Sequence, residues 1–167
     1  MDYYQILFVI SNLVFISYNY IIYKRYGLLE SISTSYCSLL NDKKLTPNYS
    51  FLFCLFCWFY AIPATMMASD GFMFFSGSFI TFVGVASAFR ENEFIAKIHQ
   101  YSAITAVVLS QLSILFIYQM WYISVVFCIF AGIMFLLKNK ITTWMYWLEM
   151  AAYFSIDIII FKIAFIH

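Results

Sequence analysis

Charge is scarce in this chain: Asp, Glu, Lys and Arg make up 10% of its 167 residues and sum to +1. A soluble domain carries about 25% charged residues, and one of this length leaves much of its surface wet. So small a charged fraction beside 65% hydrophobic residues points to lipid as the solvent. No basic stripe is available to neutralise phosphates, which excludes nucleic acid as a partner. Histidine is rarer still. His99 and the terminal His167 are too few for an intramembrane zinc hydrolase, which gathers about three ligands and a water. The five glycines form no phosphate-cradling loop, and no Gly-x-Ser-x-Gly elbow presents a serine nucleophile. The four cysteines, Cys37, Cys54, Cys57 and Cys128, are scattered. Cys54-Leu55-Phe56-Cys57 has redox or metal spacing, but it lies in an apolar block without a histidine nearby and reads as packing. No metal or other cofactor is implied.

Long apolar runs are what the chain has in abundance. Blocks at 3–23, 51–68, 72–89, 98–118, 119–137 and 142–163 approach the roughly 20 residues that a bilayer core of about 30 Å requires. Strand-like alternation is absent, so the expected fold is all-α, a single transmembrane bundle of six helices over residues 1–167. Eight of the nine basic residues (Lys24, Arg25, Lys43, Lys44, Arg90, Lys97, Lys138 and Lys140) fall in alternate gaps between blocks. The positive-inside rule then puts 24–50, 90–97 and 138–141 on the cytoplasmic side of a bacterial-type inner membrane, and both termini on the other side. Tyr3, Tyr4, Tyr118, Trp121 and Tyr122 mark one interface; Tyr20, Tyr23, Trp144 and Trp147 mark the other. Met1-Asp2-Tyr3-Tyr4 lacks a basic n-region, so the first helix is expected to stay in the mature protein. The long loop 24–50 reads as a turn of interfacial helix, a polar turn and an N-cap near Pro47-Asn48. The sequon Asn48-Tyr49-Ser50 lies on the wrong side for glycosylation.

Ionisable groups inside spans are costly and are functional candidates by default. Glu149 and Asp157 stand eight residues apart in the sixth block, about 80° apart around a helix, with Tyr153 between them. They form a proton or cation relay, or they are one carboxylate near each interface that snorkels or stays neutral. His99 opens the fourth block and pairs with Glu149 if the two helices pack at matching depth; the alternative is an ordinary interfacial hydrogen bond. Gln111 and Asn12 lie near mid-bilayer, where such groups bond across helices. Gly77, Thr81, Gly84 and Ala88 form a small-residue face for close packing. Pro63 kinks the second span and is a candidate hinge. Asp70, in Ser69-Asp70-Gly71, reads as an N-cap, or as a partner for Asp157 if carboxylates share a cation.

The segment Ser31-Ile32-Ser33-Thr34-Ser35-Tyr36, the stretch Phe82-Val83-Gly84-Val85-Ala86, and Ile98-His99 followed by Ala103 resemble a group of small six-span bacterial and phage membrane proteins without an assigned activity. In topology the chain is also similar to the Frag/DRAM/Sfk-type membrane proteins, with His99 as the matching histidine. Outward termini and a cytoplasmic long loop depart from that second pattern. No convergent catalytic set is evident, so the expected function is non-enzymatic: an interaction or assembly partner in the bilayer, as a homo-oligomer or with another membrane protein. A proton- or cation-coupled carrier or channel is the alternative.

Overall fold

The computed structural model describes residues 2–42, 49–67, 70–87 and 93–166. Lys43, Lys44, Pro47, Asn48, Ser69, Ala88, Arg90 and His167 lie outside them, and with them the loop N-cap and part of the basic-residue pattern. The described residues are all-helical, with no strand among them. The helices are α1 (Tyr3–Tyr26), α2 (Ser35–Leu40), α3 (Phe51–Met67), α4 (Gly71–Ser87), α5 (Glu93–Leu112), α6 (Trp121–Leu136) and α7 (Trp144–Phe165). A π-helical turn, Ser113–Ile117, extends α5.

Helix ends follow local chemistry. Gly27 stops α1 at φ 75°, a left-handed setting that costs a residue with a Cβ. Lys24 and Arg25 in the last turn of α1 suit the negative end of its dipole. Asp70 caps α4: its carboxylate accepts the Met73 N–H at 2.9 Å. The fourth apolar block begins at 98, yet α5 starts at Glu93. Glu93 sits in the first turn and pairs with Lys97 at 2.9 Å, one helical turn on, so charge extends the helix beyond its apolar run. Between α5 and α6 the chain reverses in three residues, with Gln119 at φ 54°.

Helix α3 is central and packs on α1, α2, α4 and α7; α5 lies against α4, and α6 against α7 and the π turn. Around α3 the core is aromatic. Tyr18 stacks on Phe56 with centroids 4.5 Å apart, Phe15 meets Tyr60 and Tyr153, and each such pair contributes about 0.5–1.5 kcal/mol beyond burial. The short helix α2 falls in the first loop, where a turn of helix is expected, and it packs against the bundle. Ser35, Tyr36 and Leu39 are buried, because Tyr18 Oη bonds Ser35 Oγ at 2.6 Å and Tyr36 meets Phe53 edge-on. This segment is tucked into one end of the bundle.

Burial runs against the soluble pattern. Ten serines and His99 are buried among the described residues, while Phe94, Val126 and Leu136 are exposed, Leu136 to 82%. Two helices, Tyr3–Tyr26 and Glu93–Ile117, are long and apolar enough to cross a membrane. Three further apolar helices have 16 or 17 residues, about 25 Å by helical rise.

The α3–α4 contact is close because Gly77 and Gly84 face α3. A Cβ on Gly84 would lie 2.9 Å from Cys57 Cβ and 3.3 Å from Cys54 Cα; one on Gly77 would lie 3.1 Å from the Ala61 carbonyl. Cys54 Sγ donates to the Gly84 carbonyl at 2.8 Å, so both cysteines of the C-x-x-C pair serve this crossing. Gly84→Leu is expected to cost about 1–3 kcal/mol through overpacking. Gly132→Leu, where nothing lies within 4 Å, should be neutral or stabilising by up to about 1 kcal/mol. Thermal unfolding in detergent compares the two; equal effects would refute the close-approach account.

Candidate functional site

The polar groups of α7 lie along one side of the helix at steps of four residues: Glu149, Tyr153 and Asp157. Glu149 is partly buried where residues 27–34 enter the bundle. Its carboxylate accepts the Ile32 backbone N–H and the Ser33 hydroxyl, the latter at 3.0 Å. Three residues earlier, the Tyr146 N–H donates to the Glu30 carbonyl at 2.9 Å. The first turns of α7 are thereby clamped to the segment between α1 and α2. An ionised carboxylate accepts hydrogen bonds only, and the backbone donor of Ile32 and the hydroxyl of Ser33 suit it.

Two turns along, Asp157 meets the side chains of Tyr60 on α3 and Asn12 on α1. Tyr60 also donates its hydroxyl to the Tyr153 carbonyl at 2.7 Å. The Tyr60 hydroxyl is thus bonded to the α7 backbone with Asp157 close by, and α1, α3 and α7 meet around one polar node. Asn12 donates in addition to the Phe8 carbonyl at 3.1 Å.

The remaining candidates separate from this face. His99 is buried, with Nδ1 3.0 Å from the Val83 carbonyl on α4 and its ring beside Phe53. This bond joins α5 to α4, whereas the Ile32 and Ser33 bonds join Glu149 to the segment after α1. Gln111 donates Nε2 to Ser155 Oγ at 2.8 Å, joining α5 to α7; its Oε1 is buried with no hydrogen-bond partner among the described residues. Thr81 bonds back to the Ser78 carbonyl within α4 at 2.6 Å. Pro63 is buried inside α3, which continues through it as one helix. Asp70 accepts from Ser113 Oγ at 2.9 Å, while Asp157 lies beside Tyr60 and Asn12, so the two acids face different neighbours. Among the described residues, no three of His, Cys, Asp and Glu gather as metal ligands.

Outside the helical core, Asp42 accepts from Arg25 Nε at 2.6 Å and from Tyr26 Oη at 2.9 Å. The hydrogen bond to Asp42 holds the Arg25 guanidinium above its usual range. Burial, and then Asp42, push the Tyr26 phenol up. This triad ties the loop back to the end of α1.

Tyr60, Ser33 and the Ile32 N–H were invisible as site groups in the sequence. A phenol deep in an apolar block has a hydroxyl in need of a partner, and that was the one available signal, at Tyr60. No family model, curated protein or solved structure matches this chain.

Glu149→Ala should destabilise by about 1–3 kcal/mol, because it leaves the Ile32 N–H without an acceptor; Glu149→Gln keeps an oxygen there and should cost less. For the second node, a double-mutant cycle of Tyr60→Phe and Asp157→Asn should give a coupling of at least about 0.5 kcal/mol. Additive effects on denaturant unfolding would dissolve the node.

Proposed function

We propose that this chain is a six-span membrane protein, with both termini on the non-cytoplasmic side, that works as an embedded interaction or assembly partner. Support for the bundle in lipid comes from the inverted burial, serines inside and large apolar side chains outside, since helices in lipid associate through small and hydroxyl-bearing residues. The observation that carries the association reading is α6. It buries Ile123 and Ser124 among its residues, and it turns Val126, Ile129, Ile133 and Leu136 outward. Exposed Cys128 and open Gly132 stand one helical turn apart on this peripheral helix, a spacing that lets a second helix approach closely. Both α7 carboxylates are held by neighbouring segments, a structural use of polar groups suited to a scaffold.

Cys128 supplies the test. A short bis-maleimide applied to native membranes is expected to link the chain through Cys128 to a second copy or to another membrane protein, and Cys128→Ser to remove the adduct. A strictly monomeric protein in detergent, with no adduct in cells, would end this reading.

A second reading, a proton- or cation-coupled carrier, rests on Glu149, Tyr153 and Asp157 lying along one side of α7 with Tyr60 beside Asp157. It requires flux into proteoliposomes that the Glu149→Gln/Asp157→Asn double variant loses while remaining folded. Flux unchanged in that variant removes it.

A further inference from the structure

An open groove of about 370 Å³ runs between α6 and α7, lined by Val126, Phe127 and Phe130 of the first and Ala151, Phe154 and Ile158 of the second. The α7 residues follow at steps of three and four, and Lys162 continues the same stripe one turn beyond Ile158. Helices α6 and α7 are antiparallel neighbours, so Tyr122, in the first turn of α6, lines the groove near that same end. An apolar trough about 10 Å long by helical rise therefore ends at an ammonium and a phenol. Lys162 is half-buried, and no acid among the described residues forms an ion pair with it. It is also the one basic residue of nine outside the alternate gaps that hold the other eight. The positive-inside bias keeps that end of a bundle poor in lysine. The negative end of the α7 dipole suits any cation in the last turn, but it does not require one on the groove's stripe.

We propose that the groove seats an acyl chain of an anionic glycerophospholipid, with the lipid phosphate at Lys162 and Tyr122. The trough decides the apolar end. The Ser155 hydroxyl in its wall is already bonded to the Ala152 carbonyl and to Gln111, so the wall between Tyr122 and Ala151 suits a hydrocarbon chain. Lys162 decides the polar end. Its stem lies along apolar surface while its ammonium reaches the interface, and basic groups in crevices between spans receive anionic headgroups. A phenol at the interface sits at headgroup level and can donate to a phosphate. A helix of a second copy would fill the trough but bring no anion to the lysine. The inference rests on the reading that the bundle lies in lipid, and not on association through α6. Cys128 and Gly132 stand about half a turn around α6 from the groove.

The experiment titrates the purified chain, in a nonionic detergent, with dioctanoyl phosphatidylglycerol and dioctanoyl phosphatidylcholine, and follows the unfolding midpoint. Phosphatidylglycerol should raise the midpoint saturably, with an apparent affinity at least about fivefold tighter than phosphatidylcholine, as one lysine near a lipid surface provides. Lys162→Gln should bring the two lipids level, and Lys162→Arg should keep the preference. Ala151→Phe fills the trough away from the lysine and should weaken both lipids. If Ala151→Phe does not fold, the two-lipid comparison in the wild type and Lys162→Gln decides. Equal action of the two lipids, a preference that survives Lys162→Gln, or binding undiminished by Ala151→Phe would overturn the proposal. So would a dimer that Ala151→Phe breaks and neither lipid affects, which would give the groove to a second copy. Alkaline carbonate extraction of native membranes tests the underlying reading separately. A chain released by carbonate ends the membrane reading and the proposal together, whereas a chain retained without a lipid preference ends the proposal alone.

Discussion

Where α4 crosses α3, Gly77 and Gly84 let the two backbones come close enough that an added Cβ would collide. Most of the arrangement hangs on this contact. It fixes α3 in the middle, so that its other faces are left for α1, α2 and α7. It also sets α4 at a depth where Ser76 can donate to the Ala106 carbonyl of α5 at 2.7 Å. Between helices in lipid there is little hydrophobic drive, because tails are as apolar as leucine. Close backbone approach and hydroxyl bonds then carry the association, and the α3–α4–α5 row uses both.

The buried serines follow from the same constraint. A hydroxyl inside an apolar bundle needs a partner, and the backbone carbonyl three or four residues earlier is the nearest one. Ser110 bonds Val107 and Ser155 bonds Ala152 in this way. Having spent its hydrogen locally, Ser155 still has an oxygen to accept from Gln111, so one small residue serves two helices. Serine therefore acts here both as a small packing residue and as a link, without the desolvation cost of a charge.

How much of this was legible in the sequence depends on the range of the interaction. The helices were legible because apolar run length and local caps decide them; Asp70 before Gly71 announced its own role as a cap. The polar face of α7 was legible too, since spacing of four residues puts Glu149, Tyr153 and Asp157 on one side. Their partners were not. Ile32 and Ser33 stand more than a hundred residues from Glu149, and a backbone N–H has no sequence signature. The contacts of the short helix α2 were not legible for a related reason: only the positions of Tyr18 and Phe53 reveal that Ser35 and Tyr36 are buried. The π turn at Ser113–Ile117 likewise has no compositional mark.

The two carboxylates of α7 differ in what they hold, and that difference bears on function. Asp157 joins side chains from two other helices, so displacing it disturbs α1, α3 and α7 together. Glu149 instead grips a short irregular segment by one backbone and one hydroxyl donor. Segments of that kind sit at the low end of local stability, because few apolar contacts hold them. Residues 28–34 are nevertheless pinned, with Ile32 buried, and the clamp on Glu149 and Tyr146 supplies the anchor. The same carboxylate lines a cavity between α4, α5 and α7. Its grip on Ile32 and Ser33 therefore bears on the seating of the loop and on the wall of that cavity together.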